Sequence, residues 1–93
     1  MFGYLPPMNT ANTRYHFNII KPSGIARDLE GTELPSLAAA RAHAIRDART
    51  LMSIAILEGI DVSGRKIEVT DEDGGVLLVL AFRDALIIED ERS

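Results

Sequence analysis

A chain of 93 residues has room for one domain and not for two independent cores. Its apolar content of 46% and charged content of 26% describe a globular chain, and a formal charge of −4 lacks the basic excess that marks binding to a phosphate backbone. The absence of cysteine excludes disulfides and thiolate metal sites. No apolar run approaches the ~20 residues of a membrane span, so the expectation is a cytoplasmic protein without a membrane partner.

Residues 1–13 contain Pro6-Pro7 and no charge, and are expected to form a flexible leader in which Met8 offers an internal start. From Arg14 to Ile20 the pattern alternates. Tyr15, Phe17 and Ile19 fall on one face, and Arg14, His16 and Asn18 on the other, as in a half-buried strand. Lys21-Pro22-Ser23-Gly24 supplies a turn, and a short return strand is expected over residues 25–28. Residues 29–34 (LEGTEL) read as a lead into a helix, with Gly31 at a turn.

Residues 35–59 (PSLAAARAHAIRDARTLMSIAILEG) carry the helical signal on which the fold is organised. Ser36 is placed as N-cap, Pro35 marks the change from extended chain, and Gly59 is the left-handed terminator. At 100° per residue, Leu37, Ala44, Ile45, Ala48, Leu51, Met52, Ala55 and Ile56 form the core-facing stripe. Arg46, Arg49, Thr50 and Ser53 fall on the opposite side. Arg41 intrudes into the apolar arc, whereas Ile54 and Leu57 lie outside it and need a cover other than the sheet. A helix of this length is a rod of roughly 33 Å, longer than the roughly 23 Å of a seven-residue strand, which predicts an oblique or overhanging helix.

Residues 60–64 form a connector, and residues 65–70 alternate with Ile67 and Val69 inward. Asp71-Glu72-Asp73-Gly74-Gly75 is a hairpin turn. Residues 76–82 (VLLVLAF) are apolar on both faces, as expected of a central strand, and residues 89–93 form an acidic tail. The order β-β-α-β-β predicts an α+β, two-layer domain over residues 14–88, with one long helix on a four-stranded, mainly antiparallel sheet whose first and last strands are central.

Arg14-Tyr15-His16-Phe17, the stretch from Asp28 to Pro35 (DLEGTELP), the Ala- and Arg-rich helix, SGRKIEVTD from Ser63, Gly74 and Phe82-Arg83-Asp84 follow one another in a distinctive order. In that order and spacing the chain resembles a family of short alphaproteobacterial proteins known as a domain of unknown function. The resemblance covers residues 14–86 and implies no activity, cofactor or catalytic residue.

Asp71, Glu72 and Asp73 before Gly74 look like the start of a calcium loop, but the later ligands and the flanking helices are missing, and a hairpin turn explains them better. Residues 59–66 resemble a phosphate loop only loosely, with the wrong residue types in the wrong structural order. His16 is expected on the sheet face away from the helix, and His43 in an i,i+4 pair with Asp47. Asp28, Glu30 and Glu33 form an acidic cluster for which Arg41 is the expected ion-pair partner. No residue is therefore assigned a catalytic, cofactor-binding or metal-binding role.

What remains is apolar surplus. Ile54 and Leu57 on the helix, with Ile20, Leu77, Val79 and Ala81 on the open sheet face, form the candidate interface. Leu86, Ile87 and Ile88 are the segment that could fold back over it. The reading is a small non-catalytic interaction or regulatory module, self-associating as a homodimer or bound to another protein. The alternative is a nucleic-acid-linked module of the antitoxin or repressor-associated kind, for which a stripe joining Arg46, Arg49, Arg65 and Lys66 is the discriminating feature. A small-molecule binder or enzyme comes third and needs a deep polar pocket.

Overall fold

The structure is a computed structural model that describes residues 12–87 and 89. The expected leader and tail thus fall outside the described residues, except for Asn12, Thr13 and Glu89. Among the described residues seven elements follow in order: β1 (Thr13–Lys21), β2 (Gly24–Ala26), β3 (Thr32–Leu34), α1 (Leu37–Leu57), β4 (Lys66–Thr70), β5 (Val76–Ala81) and a short 3₁₀ turn (Phe82–Ala85). The result is one helix on an antiparallel sheet of five strands, which is the expected α+β class with one strand more than expected.

β1 is the spine of the sheet. On one side His16–Ile20 pairs with β4, and β4 in turn pairs with β5. On the other side β1 pairs with β2 at its end and β3 at its start, so the sheet order is β2-β1-β4-β5 with β3 beside β1. The central strands are β1 and β4. The expectation that the last strand is central is corrected: β5 is an edge. Its apolar outer side chains mimic burial, but β4 reaches the middle because it pairs with β1 across some fifty intervening residues, as in Asn18↔Glu68.

The extra strand also has a physical reason. Ile19 pairs with Ala26 whereas Tyr15 pairs with Thr32, so residues 27–31 form an insertion in what would otherwise be one continuous edge strand. The return strand accordingly stops at Ala26, before the expected Asp28.

α1 begins as expected, with Ser36 Oγ accepting from Ala39 N–H at 3.1 Å. It ends in a Schellman arrangement, with Ile60 N–H bonded to Ala55 O and Gly59 at φ +82°. Ala40, Ala44 and Ala48 are completely buried and set the helix backbone close to the sheet, while Ile45, Leu51, Met52 and Ala55 pack around them. Leu37 and Ile56, expected in the core stripe, are 43% and 62% exposed. The turn-by-turn drift of the stripe puts Ala40 rather than Leu37 beneath the helix. At nine residues β1 is about 30 Å long, close to the helix's own length of about 32 Å, whereas β4 and β5, at five and six residues, are shorter than the helix.

Between the layers lie Tyr15, Phe17, Ile67, Val69 and Leu80, with Phe82 and Ala85 of the 3₁₀ turn closing one end. Arg49 Nε donates to Ala85 O at 2.7 Å, which staples that turn to α1.

Candidate functional site: the open sheet face and the β5 edge

Among the candidate interface residues, those on β5 stand together. Leu77 and Val79 are 42% and 49% exposed, Ala81 is half-buried, and the neighbouring Val76 adds a further exposed side chain at 55%. The pairing register shows how far this surface extends. Across the sheet the rows run Ile20–Lys66–Ala81 and Asn18–Glu68–Val79, so the charged outer side of β4 separates Ile20 from the β5 group. The open face thus carries an apolar strip along β5, with Ile20 beside Ile25 at the other edge.

The second group lies at the end of α1. Ile54 is 53% and Leu57 87% exposed, and Ile56 and Ile60 are exposed as well. Alongside runs an open groove of about 450 Å³ lined by Arg49, Met52, Ile56, Ile60, Val62 and Leu86. Of the expected cover, Leu86 lines this groove, which includes neither Ile54 nor Leu57, Ile87 is 88% exposed, and Ile88 lies outside the described residues. Arg49, expected on a solvated face, is engaged by Ala85 O.

The acidic cluster before the helix has a role that periodicity did not suggest. Asp28 sits in the insertion of the edge strand and its carboxylate replaces the missing strand. Oδ2 accepts the Phe17 N–H of β1 at 3.1 Å, and Oδ1 accepts the Gly31 N–H at 3.1 Å. Its own N–H donates to Asn18 Oδ1 at 2.9 Å, and Asn18 is buried and donates onward to Glu68 at 3.3 Å. Gly31 adopts φ +73°, and a Cβ there would lie 2.9 Å from Tyr15 O, so the loop closes only around glycine. Glu33 pairs with Arg14 at 2.8 Å, and Arg14 also donates to Glu30 O. Arg14, rather than the expected Arg41, is the cation of this cluster.

His16 is on the open face, as expected. Its Nδ1 is 2.8 Å from Asp28 O, and because a carbonyl only accepts, Nδ1 carries the proton. Nε2 then faces Glu72 Oε1 at 3.5 Å, across a hollow of about 170 Å³ between the residue 27–31 loop and the β4–β5 turn. His43 forms the expected pair with Asp47 at 3.3 Å and also packs against Phe17 in a tilted arrangement, with ring centroids 4.5 Å apart and planes at 43°. Among the described residues, no three His, Asp or Glu side chains gather to hold a metal ion.

Asp71 shapes the β4–β5 turn. Its Oδ1 accepts from the N–H groups of Asp73 and Gly75 at 2.9 and 2.8 Å, which accounts for the DEDGG pattern without an ion. Asp61 heads the loop after α1, where the Ser63 N–H, the Ser63 hydroxyl and the charge of Arg83 hold its carboxyl below the usual carboxylate range. Arg46 and Arg49 belong to the helix layer, whereas the alternation that buries Ile67 puts Lys66 on the opposite face. The four basic residues do not form a single stripe. No described helix is long and apolar enough to cross a membrane.

Searches of curated proteins and of solved structures find no match to the chain. A family model matches residues 14–83, from the start of the aromatic strand to the residue after Phe82, and by that match the chain belongs to the family described as Domain of unknown function (DUF6894).

Proposed function

We propose that this domain is a non-catalytic interaction module of the bacterial cytoplasm that works by self-association. The observation that carries the reading is β5, an edge strand with no charged residue, which presents Val76, Leu77 and Val79 to solvent. Edge strands of monomeric proteins are usually guarded by charge, proline, a bulge, a cover or shortness; β5 has six residues without a charge or proline among them, and its register shift, opposite Val69 and Thr70, lies toward its start and leaves Leu78 to Ala81 in regular pairing. Three of the polar groups that could have served a reaction are committed elsewhere. The Asp28 carboxylate holds backbone N–H groups, Asp71 organises a turn, and Arg49 is tied to Ala85. The division of Arg46 and Arg49 from Lys66 between two faces gives the nucleic-acid alternative no support.

Light scattering over a dilution series tests the reading. A mass that rises toward the dimer with concentration is the expected result, and a constant monomer mass removes self-association.

A further inference from the structure

We infer that the partner of β5 is β5 of a second copy, paired antiparallel about a two-fold axis beside Val79, so that two sheets become one. The inference rests on the proposed self-association and specifies its geometry.

The first support is the direction of the backbone groups. Phe82 N–H bonds to Arg65 O at 2.8 Å, which makes that pair a hydrogen-bonded one, and such pairs alternate along an antiparallel ladder. Leu80 opposite Ile67 and Leu78 opposite Val69 therefore direct their N–H and C=O groups to β4. Val79 and Ala81 direct theirs outward, to the side of β5 on which, among the described residues, no further strand lies. A two-fold axis beside Val79 sets the outward N–H and C=O of each Val79 against those of the other, giving two reciprocal hydrogen bonds at the centre of the contact.

Charge supplies the second support and selects the antiparallel sense. The turn leading into β5 carries Asp71, Glu72 and Asp73. At its far end β5 is followed by Arg83 and lies beside Arg65 and Lys66, against Asp84 and the nearby Asp61. Antiparallel pairing brings the acidic end of each copy alongside the more basic end of the other, twice over. Parallel pairing would set like ends together. Leu77, Val79 and Ala81 of both copies then form one apolar strip on the open face, and both helices lie on the same side of the joined sheet.

The size of the contact sets the expected strength. Six strand residues span about 20 Å, and the area they cover falls short of the roughly 800 Å² per partner of a standard stable interface. The association should be in the micromolar range and weaken as salt is added.

The chain has no cysteine, so a single introduced thiol reports on one position. Two Val79→Cys copies facing each other across a hydrogen-bonded pair have Cα atoms about 5.5 Å apart, within disulfide reach. Mild oxidation of the full chain with Val79→Cys should give a covalent dimer at least about tenfold faster than Leu57→Cys, a rate set by proximity of the thiols. Val79→Lys, which places two cations opposite each other on an exposed site, should abolish the dimer while its circular dichroism stays that of the parent. A parent chain that remains monomeric overturns both the pairing and the self-association on which it rests. A dimer that survives Val79→Lys and cross-links through Leu57→Cys overturns the pairing alone and leaves self-association through the end of α1.

Discussion

Asp28 occupies the place where the edge strand is interrupted, and its side chain does the work of the missing backbone. Its carboxylate accepts from Phe17 and Gly31, and the N–H of Phe17 has no strand carbonyl to turn to. Asp28→Ala leaves both donors part-buried without a partner, which should lower the unfolding free energy by about 1–3 kcal/mol. Asp28→Asn keeps an acceptor oxygen and should recover part of that loss; urea denaturation of the two variants gives the comparison. Little of this was legible beforehand, because Asp28, Glu30 and Glu33 have no periodicity and the partners of Asp28 lie on β1, ten or more positions away. The one local signal was Gly31, correctly read as a turn residue, whose φ of +73° and contact with Tyr15 O require a missing Cβ. Asp61 is a different case, since its lowered pKa comes from a neighbour two residues on, with Arg83 as a lesser cause. A carboxyl with a depressed folded pKa contributes stability above its unfolded pKa, near 3.8, and loses it as pH falls through the lower folded value. Melting temperature followed from pH 5 downward should therefore fall less steeply in Asp61→Asn than in the parent.

At the scale of elements, α1 was the most legible part of the chain because its ends are set by local chemistry. Ser36 caps Ala39, and Gly59 takes the left-handed position, both where the sequence alone places them. β3 was not legible: three residues cannot display alternation, and they are ordered by the far end of β1. The helix faces were legible in outline only, since the buried row is Ala40, Ala44 and Ala48 and not the larger Leu37 and Ile56. Those alanines leave no space above the sheet. Ala44→Leu should cost about 1–3 kcal/mol by overpacking, a penalty that thermal unfolding would register as a lower melting temperature. The other face predicts the opposite. Ile54 and Leu57 are exposed, so Ile54→Gln with Leu57→Gln should change stability by no more than about 0.5 kcal/mol per site. A clear drop in melting temperature for this double variant would mean that the chain's own tail covers them.

For the molecule as a whole, the order β2-β1-β4-β5 makes two kinds of sheet edge. One is broken by the residue 27–31 loop and filled by Asp28, whereas the other is β5, apolar throughout and irregular only where its register shifts opposite Val69 and Thr70. Strand order was not readable from the sequence because it depends on β1–β4 pairs some fifty residues apart, and a strand apolar on both faces looks central whether a second neighbour is present or absent. Amide hydrogen exchange separates these cases residue by residue. Asn18 and Val69 lie in the interior of the β1–β4–β5 ladder and their amides should be among the slowest, exchanging only on global unfolding. The amides of Val79 and Ala81 point away from β4, so in dilute solution they should exchange quickly although they sit within a strand, while Leu78 and Leu80 are protected between them. Raising the concentration of the parent chain should slow Val79 and Ala81 selectively, by about tenfold or more, and should leave both amides fast in Val79→Lys. Slow exchange at Val79 and Ala81 that persists on dilution would instead mean that the edge is closed within a single chain, and β5 would then be no more available to a partner than β4.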